Sequence, residues 1–318
     1  MEQMNQNPFW GMTDVGQAEH TFNQFRIDNP NKKDAQLKLL SDLLDALLGA
    51  EEKLNGDADD FHNFAVTVSK IANDNKNAYA IVREGLKIHN INTDLLADAL
   101  MYGANSGEKD ACRHHYAVLL GVDKSCWTWR AFSFTITYLM DMYASSDSSL
   151  ATIDEILNLA KEYQSYLPEK EDAWISLFRI YDGTNQRSRG IQVLEEAIDK
   201  FRFCPKCWLR YADIMMDDGE YEKAEPVIRK MLRNPKTTEF INTSYMYFLD
   251  GQCKMSRLMD SDAYYLGEVK EEEVCRIYRS FNLARKAQGL RESVNQRIDE
   301  YIDRLEIETG FSYSKYNR

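Results

Sequence analysis

Residues 205–238 read PKCWLRYADIMMDDGEYEKAEPVIRKMLRNPKTT, and the equally long stretch before them, 171–204, reads EDAWISLFRIYDGTNQRSRGIQVLEEAIDKFRFC. In the earlier stretch Trp174, Leu177, Phe178 and Tyr181 fall at i, i+3, i+4 and i+7, which places them on one face of a helix. Arg179 and Asp182 point elsewhere. Gly190, Val193, Leu194, Ala197 and Ile198 repeat the rule, and Asp182-Gly183-Thr184-Asn185 supplies a short turn between the two helices. The pattern then returns in the later stretch, with Trp208, Tyr211, Ala212 and Met215 on one helix and Ala224, Val227, Ile228, Met231 and Leu232 on the next. Trp174 maps to Trp208, Gly190 to Ala224, Leu194 to Ile228 and Ile198 to Leu232 under one constant shift, the signature of an internal repeat.

These residues resemble the tetratricopeptide repeat, whose unit carries a Trp early in its first helix, a Gly-x-Tyr turn, a small residue where the helices touch and a closing Pro. In 205–238 the matching positions are Trp208, Tyr211-Ala212, Gly219, Tyr221, Ala224 and Pro235. The unit 171–204 keeps Trp174 and Gly190 but has Asn185 and Arg187 at the turn, a divergent copy. Pro226 falls within the second helix, where a true interior position would cost about 3 kcal/mol; the family often carries Pro there, and a mild kink or a late helix start would accommodate it.

Upstream, the small-then-apolar signature of a second helix recurs at Ala78, Cys112 and Ile153, in steps close to that same shift. First-helix partners fit at 58–73, 93–105 and 125–144, an opening helix at 35–54, and three further helices at 237–259, 270–288 and 291–309, about fourteen in all. The resemblance therefore implies an all-α fold, a right-handed α-α superhelix of antiparallel helix pairs. The expected organisation is a polar N-terminal arm over 1–34 and a single helical repeat domain over 35–318 with C-terminal capping helices, because repeat ends need a solvated outer face. Pro8, Phe9 and Trp10 in the arm are candidates for docking on the protein's own groove or on a partner; disorder is equally permitted.

Composition agrees with a folded, non-membrane chain: 318 residues, 44% hydrophobic and 28% charged, with six prolines and fifteen glycines, too few for a turn-rich β protein. No apolar run approaches the ~20 residues of a membrane span, and no secretory leader opens the chain, so a cytoplasmic location is expected. A net charge of −12 argues against nucleic acid and anionic membranes as partners. The acidity belongs to the first two thirds; residues 201–318 hold 20 Lys/Arg and 20 Asp/Glu. Arg276, Arg279, Arg285 and Lys286 share one predicted helix, read as a solvated mixed face because Glu271, Glu272 and Glu273 precede them.

No phosphate loop, dinucleotide fingerprint, nucleophile elbow or zinc-protease helix occurs. Cys204 and Cys207 have redox or zinc spacing without a second ligand pair, so they read as small apolar residues flanking a helix start. Cys112 and His115 share a helical face, but no further ligands accompany them, and a hydrogen-bonded core histidine is preferred. Asp57, Asp59 and Asp60 lack the layout of a calcium loop and read as a helix start. Trp127 and Trp129 cannot share one helix side: one belongs to the core and the other to a groove or interface. No cofactor and no metal are expected.

Stacked helix pairs leave a concave surface lined by first helices, and such surfaces hold extended peptides or partner helices. The expected activity is non-enzymatic: a scaffold that binds a protein or peptide. By the resemblance, the groove candidates are Ile175, Arg179 and Asp182 in one unit and Leu209, Asp213 and Met216 in the next. Ordinary solvated side chains are the plain alternative for them. A subset of the family grips chaperone C-terminal carboxylates; Asp182 and Asp213 would repel these, so a basic or apolar segment suits better. The alternative function is a peptide-sensing regulator of the same repeat type, which needs a basic DNA-binding or a catalytic region that the acidic first hundred residues do not suggest. Partner identity and oligomeric state are not encoded in this pattern.

Overall fold

A computed structural model of the chain describes residues 7–145, 150–287 and 289–315. Sixteen α-helices and no strand occur among the described residues. The chain divides into two compact units, residues 1–176 and 177–318, where the sequence reading expected one repeat domain over 35–318.

In the first unit the helices are α1 (Val15–Asp28), α2 (Lys33–Leu48), α3 (Ala58–Thr67, prolonged by a π turn at Val68–Ala72), α4 (Asn75–Ile88), α5 (Thr93–Asn105), α6 (Lys109–Leu120), α7 (Trp129–Ala144) and α8 (Ile153–Tyr166). Consecutive helices pack in pairs, α1 with α2, α3 with α4, α5 with α6 and α7 with α8, and α5 also packs on α7. The starts are written locally. Asp57 accepts the amide of Asp60 at 2.9 Å while Asp60 accepts that of Asp57 at 2.9 Å, and Thr152 and Glu155 make the same reciprocal cap on α8. The acidic cluster at 57–60 is thus a helix start.

Residues 7–28, assigned to a polar arm by the sequence, are built into the first unit. Val15, Ala18 and Phe22 are fully buried along α1. Val15 N–H donates to Asn55 O at 3.0 Å, Asn55 N–H to Thr13 O at 2.9 Å, and Asn7 Nδ2 to Asp42 O of α2 at 2.6 Å. Three apolar residues on one face suffice here because neighbouring α3 supplies the rest of the core. Residues 1–6 of the expected arm lie outside the described residues.

Helix α9 (Glu171–Gly183) runs across the boundary. The second unit continues with α10 (Arg187–Lys200), α11 (Pro205–Asp217), α12 (Tyr221–Arg233), α13 (Thr243–Met259), the short α14 (Asp262–Tyr265), α15 (Glu271–Lys286) and α16 (Glu292–Thr309). Pro226 sits inside α12, which starts at Tyr221 rather than late. Close pairing depends on glycine. A methyl group at Gly190 would lie 3.0 Å from Cδ2 of Phe178, and in the first unit one at Gly85 would lie 2.7 Å from Cγ of Phe61; a larger residue would push the paired helices apart.

The turns repeat as well. Gly219 adopts φ 74° and Asn185, its counterpart in the preceding unit, φ 60°, so Asn performs the left-handed cap where the divergent copy lacks Gly. After each, the next amide reaches back across the turn, Gln186 N–H to Tyr181 O at 2.7 Å and Glu220 N–H to Met215 O at 2.8 Å. The core of the last helices gathers Phe248, Tyr278 and Phe281 with Ile298, Ile302 and Leu305 of α16, whose 4-and-3 spacing puts these three on one face of the helix.

Candidate functional site

The six groove candidates have different fates. Ile175 lies in the first unit and is half-buried; Arg179 is exposed and Asp182 half-buried on α9; on α11, Leu209 and Asp213 are half-buried and Met216 is buried. Asp182 is not free. It lies 3.9 Å from Arg187, whose guanidinium grips Asp218 at 2.7 Å, so it belongs to an ion-pair cluster between the turn after α9 and the end of α11.

Asp213 is the distinctive one. Burial pushes its carboxyl up to about 6, with Asp217 adding to the rise, against the opposing pull of Arg210 and of a hydrogen bond from the phenol of Tyr245 on α13. Burial and the charge of Asp213 raise the Tyr245 phenol in turn, while Arg297 and Arg291 lower it. Arg297, exposed on α16, stands 4.8 Å from the ring centre of Phe248 and 5.8 Å from that of Tyr301. Arg210 lies 5.2 Å from the ring of Phe178. The structure therefore brings Asp213 together with Arg210, Tyr245 and Arg297, a row of charged and aromatic side chains on α11, α13 and α16 in which Asp213 and Tyr245 are half-buried and the two arginines exposed. Tyr245 and Arg297 escaped the sequence reading. The step that carries Trp174 to Trp208 carries Tyr211 to Tyr245, so the period could have found one of them; nothing in the sequence ties α16 to α11.

The first unit holds a second polar centre on its first helices. His62 Nδ1 of α3 lies 2.5 Å from Asp98 Oδ2 of α5. Asp98 is wholly buried, and its Oδ1 has no hydrogen-bond partner among the described residues. Burial raises its carboxyl, opposed by the hydrogen bond and charge of His62 and by Arg130. Arg130 of α7 pairs with Asp94 at 3.4 Å and lies 5.5 Å from the ring of Trp129. Trp129 is the exposed member of its pair; Trp127 is buried, 5.1 Å from Phe132.

His115 Nε2 is 3.1 Å from the hydroxyl of Tyr79, and burial lowers its affinity for a proton. Burial pushes the Cys112 thiol up to about 11, which keeps it protonated. Cys204 and Cys207 are buried, with Cys204 Sγ 3.8 Å from Ala197 O. No group of three His, Cys, Asp or Glu residues is arranged for a metal among the described residues, and no described helix is long and apolar enough to cross a membrane.

No protein-family profile matches the chain, and no curated protein sequence matches it. Among solved structures, a tetratricopeptide repeat protein from Parabacteroides merdae aligns over 90% of this chain and 99% of its own, with TM-score 0.50 and 14% identity. The fold is tetratricopeptide-like. The structure of a human IFIT1 dimer with PPP-AAAA aligns over 87% of this chain with TM-score 0.53 and 12% identity; the chain spans 61% of that protein's length. Identities this low speak for architecture alone. The tetratricopeptide-like arrangement of paired helices expected from Trp174, Gly190, Trp208 and Ala224 is the one observed.

Proposed function

We propose that the protein is a non-enzymatic scaffold that binds a basic or apolar segment of a protein or peptide on the first-helix face of its second unit. Asp213 carries the reading. It is a half-buried carboxyl held by Tyr245, flanked by Leu209 and by the aromatic-stacked Arg210 and Arg297, and it ionises near neutral pH. A lysine or arginine of the bound segment would pair with Asp213 and Asp217, and its apolar neighbours would cover Leu209. Arg179 sets the edge of the surface, and Met216 supports it from beneath rather than touching the segment. The proposed surface leaves out Ile175, which belongs to the first unit.

Affinity capture from extracts of the native cell, with wild type beside Arg179→Glu plus Asp213→Lys, tests this face. Loss of a captured protein from the double variant supports it; capture of the same proteins by both rejects it.

A further inference from the structure

On α13, Lys254, Arg257 and Leu258 stand roughly 120–180° around the helix from Tyr245, facing away from the surface just described. They floor a cavity of about 310 Å³ walled by Glu225 and Arg229 of α12 and by Glu273 and Arg276 of α15. A second hollow of about 520 Å³ shares Arg229 and continues along α12 past Lys230 and Arg233. Six cations and two carboxylates therefore line two hollows that meet at Arg229, together called the cleft below, in a chain whose net charge is −12.

Three of the six cations are held by hydrogen bonds. Glu225 accepts hydrogen bonds from Arg229, at 2.6 Å, and from Arg257. Lys254 is paired with Asp250 at 2.5 Å and donates to Ser280 at 3.1 Å. Arg276 and Arg233 line the cleft with no acidic partner among the described residues. A guanidinium is shaped to grip a phosphate through two parallel N–H donors, and donors already held in position lose little freedom on binding.

We propose that this cleft is a binding site for a terminal phosphate group. The volume of the inner cavity is at the small end of ligand pockets, about 300 to 1,000 Å³, and suits one compact dianion. The row of Lys230 and Arg233 beyond it would meet further negative charge on the same ligand. Single-stranded nucleic acid fits less well, because such strands are held by aromatic side chains on which bases stack and neither hollow is lined by one. The phosphate could come from a phosphorylated side chain of a protein segment or from a small free phosphate compound.

The test is calorimetric titration of the full chain at low ionic strength with a phosphoserine peptide, its unphosphorylated counterpart, inorganic pyrophosphate and a single-stranded oligoadenylate. The phosphopeptide should saturate one site and the unphosphorylated peptide should bind at least about tenfold more weakly, the order of one lost charge-assisted hydrogen bond. Arg276→Glu should weaken phosphate binding by about tenfold or more. Arg279→Glu, the same charge change on the exposed side of α15 outside the cleft, should stay within about twofold, and both variants should keep wild-type helicity by circular dichroism. Pyrophosphate binding as tightly as the phosphopeptide assigns the site to a small phosphate. No saturable binding of either phosphate, equal losses in the two variants, or an oligoadenylate that binds tighter than both phosphates would each overturn the proposal.

Discussion

Asp98 and Asp213 are both carboxylic acids on the first helix of a pair, one in each unit, and their surroundings make them opposites. Asp98 is sealed from solvent, tied to His62, with one oxygen left without a donor among the described residues. Asp213 is half-buried, held by Tyr245, and keeps access to water and to Arg210. Their difference shows what one architecture does with one chemical group: complete enclosure makes a carboxyl a lock between helices α3 and α5, and partial enclosure leaves it free to meet a ligand and to change charge near pH 6.

The lock should be the costlier to break. His62→Leu leaves Asp98 with neither partner nor solvent, and is expected to destabilise the first unit by ~3–5 kcal/mol in urea unfolding. His62→Leu combined with Asp98→Leu should recover most of that loss, because an apolar pair has no buried charge to satisfy. A double variant as unstable as the single would show that packing, not charge, is at stake. Trp208, wholly buried in the second unit, provides the apolar benchmark: Trp208→Ala should cost ~3–5 kcal/mol through the cavity it leaves, checked by the same unfolding curves.

Asp213→Asn should act through pH instead. Because the folded-state carboxyl is raised to about 6 from 3.8, the folded protein holds this proton more tightly than the unfolded chain does. Stability from this group is present below pH ~4 and is lost as pH rises through about 6. Relative to wild type, Asp213→Asn is therefore expected to gain stability between pH 4.5 and 7.5, by about 1 kcal/mol once solvent screening is allowed for. Equal stability differences at both pH values would mean that Asp213 is not enclosed as described. The smallest effect belongs to the exposed turn cluster: Arg187→Ala, which removes the pairs to Asp218 and Asp182, should change stability by ~0–1 kcal/mol.

The helix pairs over 171–238 were legible because they depend on local signals: a Trp, a small contact residue and a turn residue able to take positive φ, each repeated at one spacing. Asn185 shows the signal surviving a change of residue, since its backbone does what Gly219 does. Helix α1 was not legible, because Val15, Ala18 and Phe22 are its whole buried face and the surrounding residues are polar. The contacts that make the sites were hidden for a different reason. His62 and Asp98 lie on separate helices far apart in sequence, and nothing local to either announces the other. Arg229, Arg257 and Arg276 come from three helices, and averaging 20 basic against 20 acidic residues over 201–318 erased their clustering. The basic residues of α15, read from the sequence as a solvated mixed face, were divided by the fold: Arg276 lines the cleft, and Arg285 is bound to Asn295 and Asp299 of α16.

The reading of the second unit as a surface for a basic segment is tested most directly by the pH dependence of its affinity for a captured partner, with wild type beside Asp213→Asn. Affinity for wild type should rise between pH 5 and pH 7.5 as Asp213 ionises, and the rise should be absent in Asp213→Asn. A rise of equal size in both proteins, or an affinity that falls with pH, would contradict that role for Asp213.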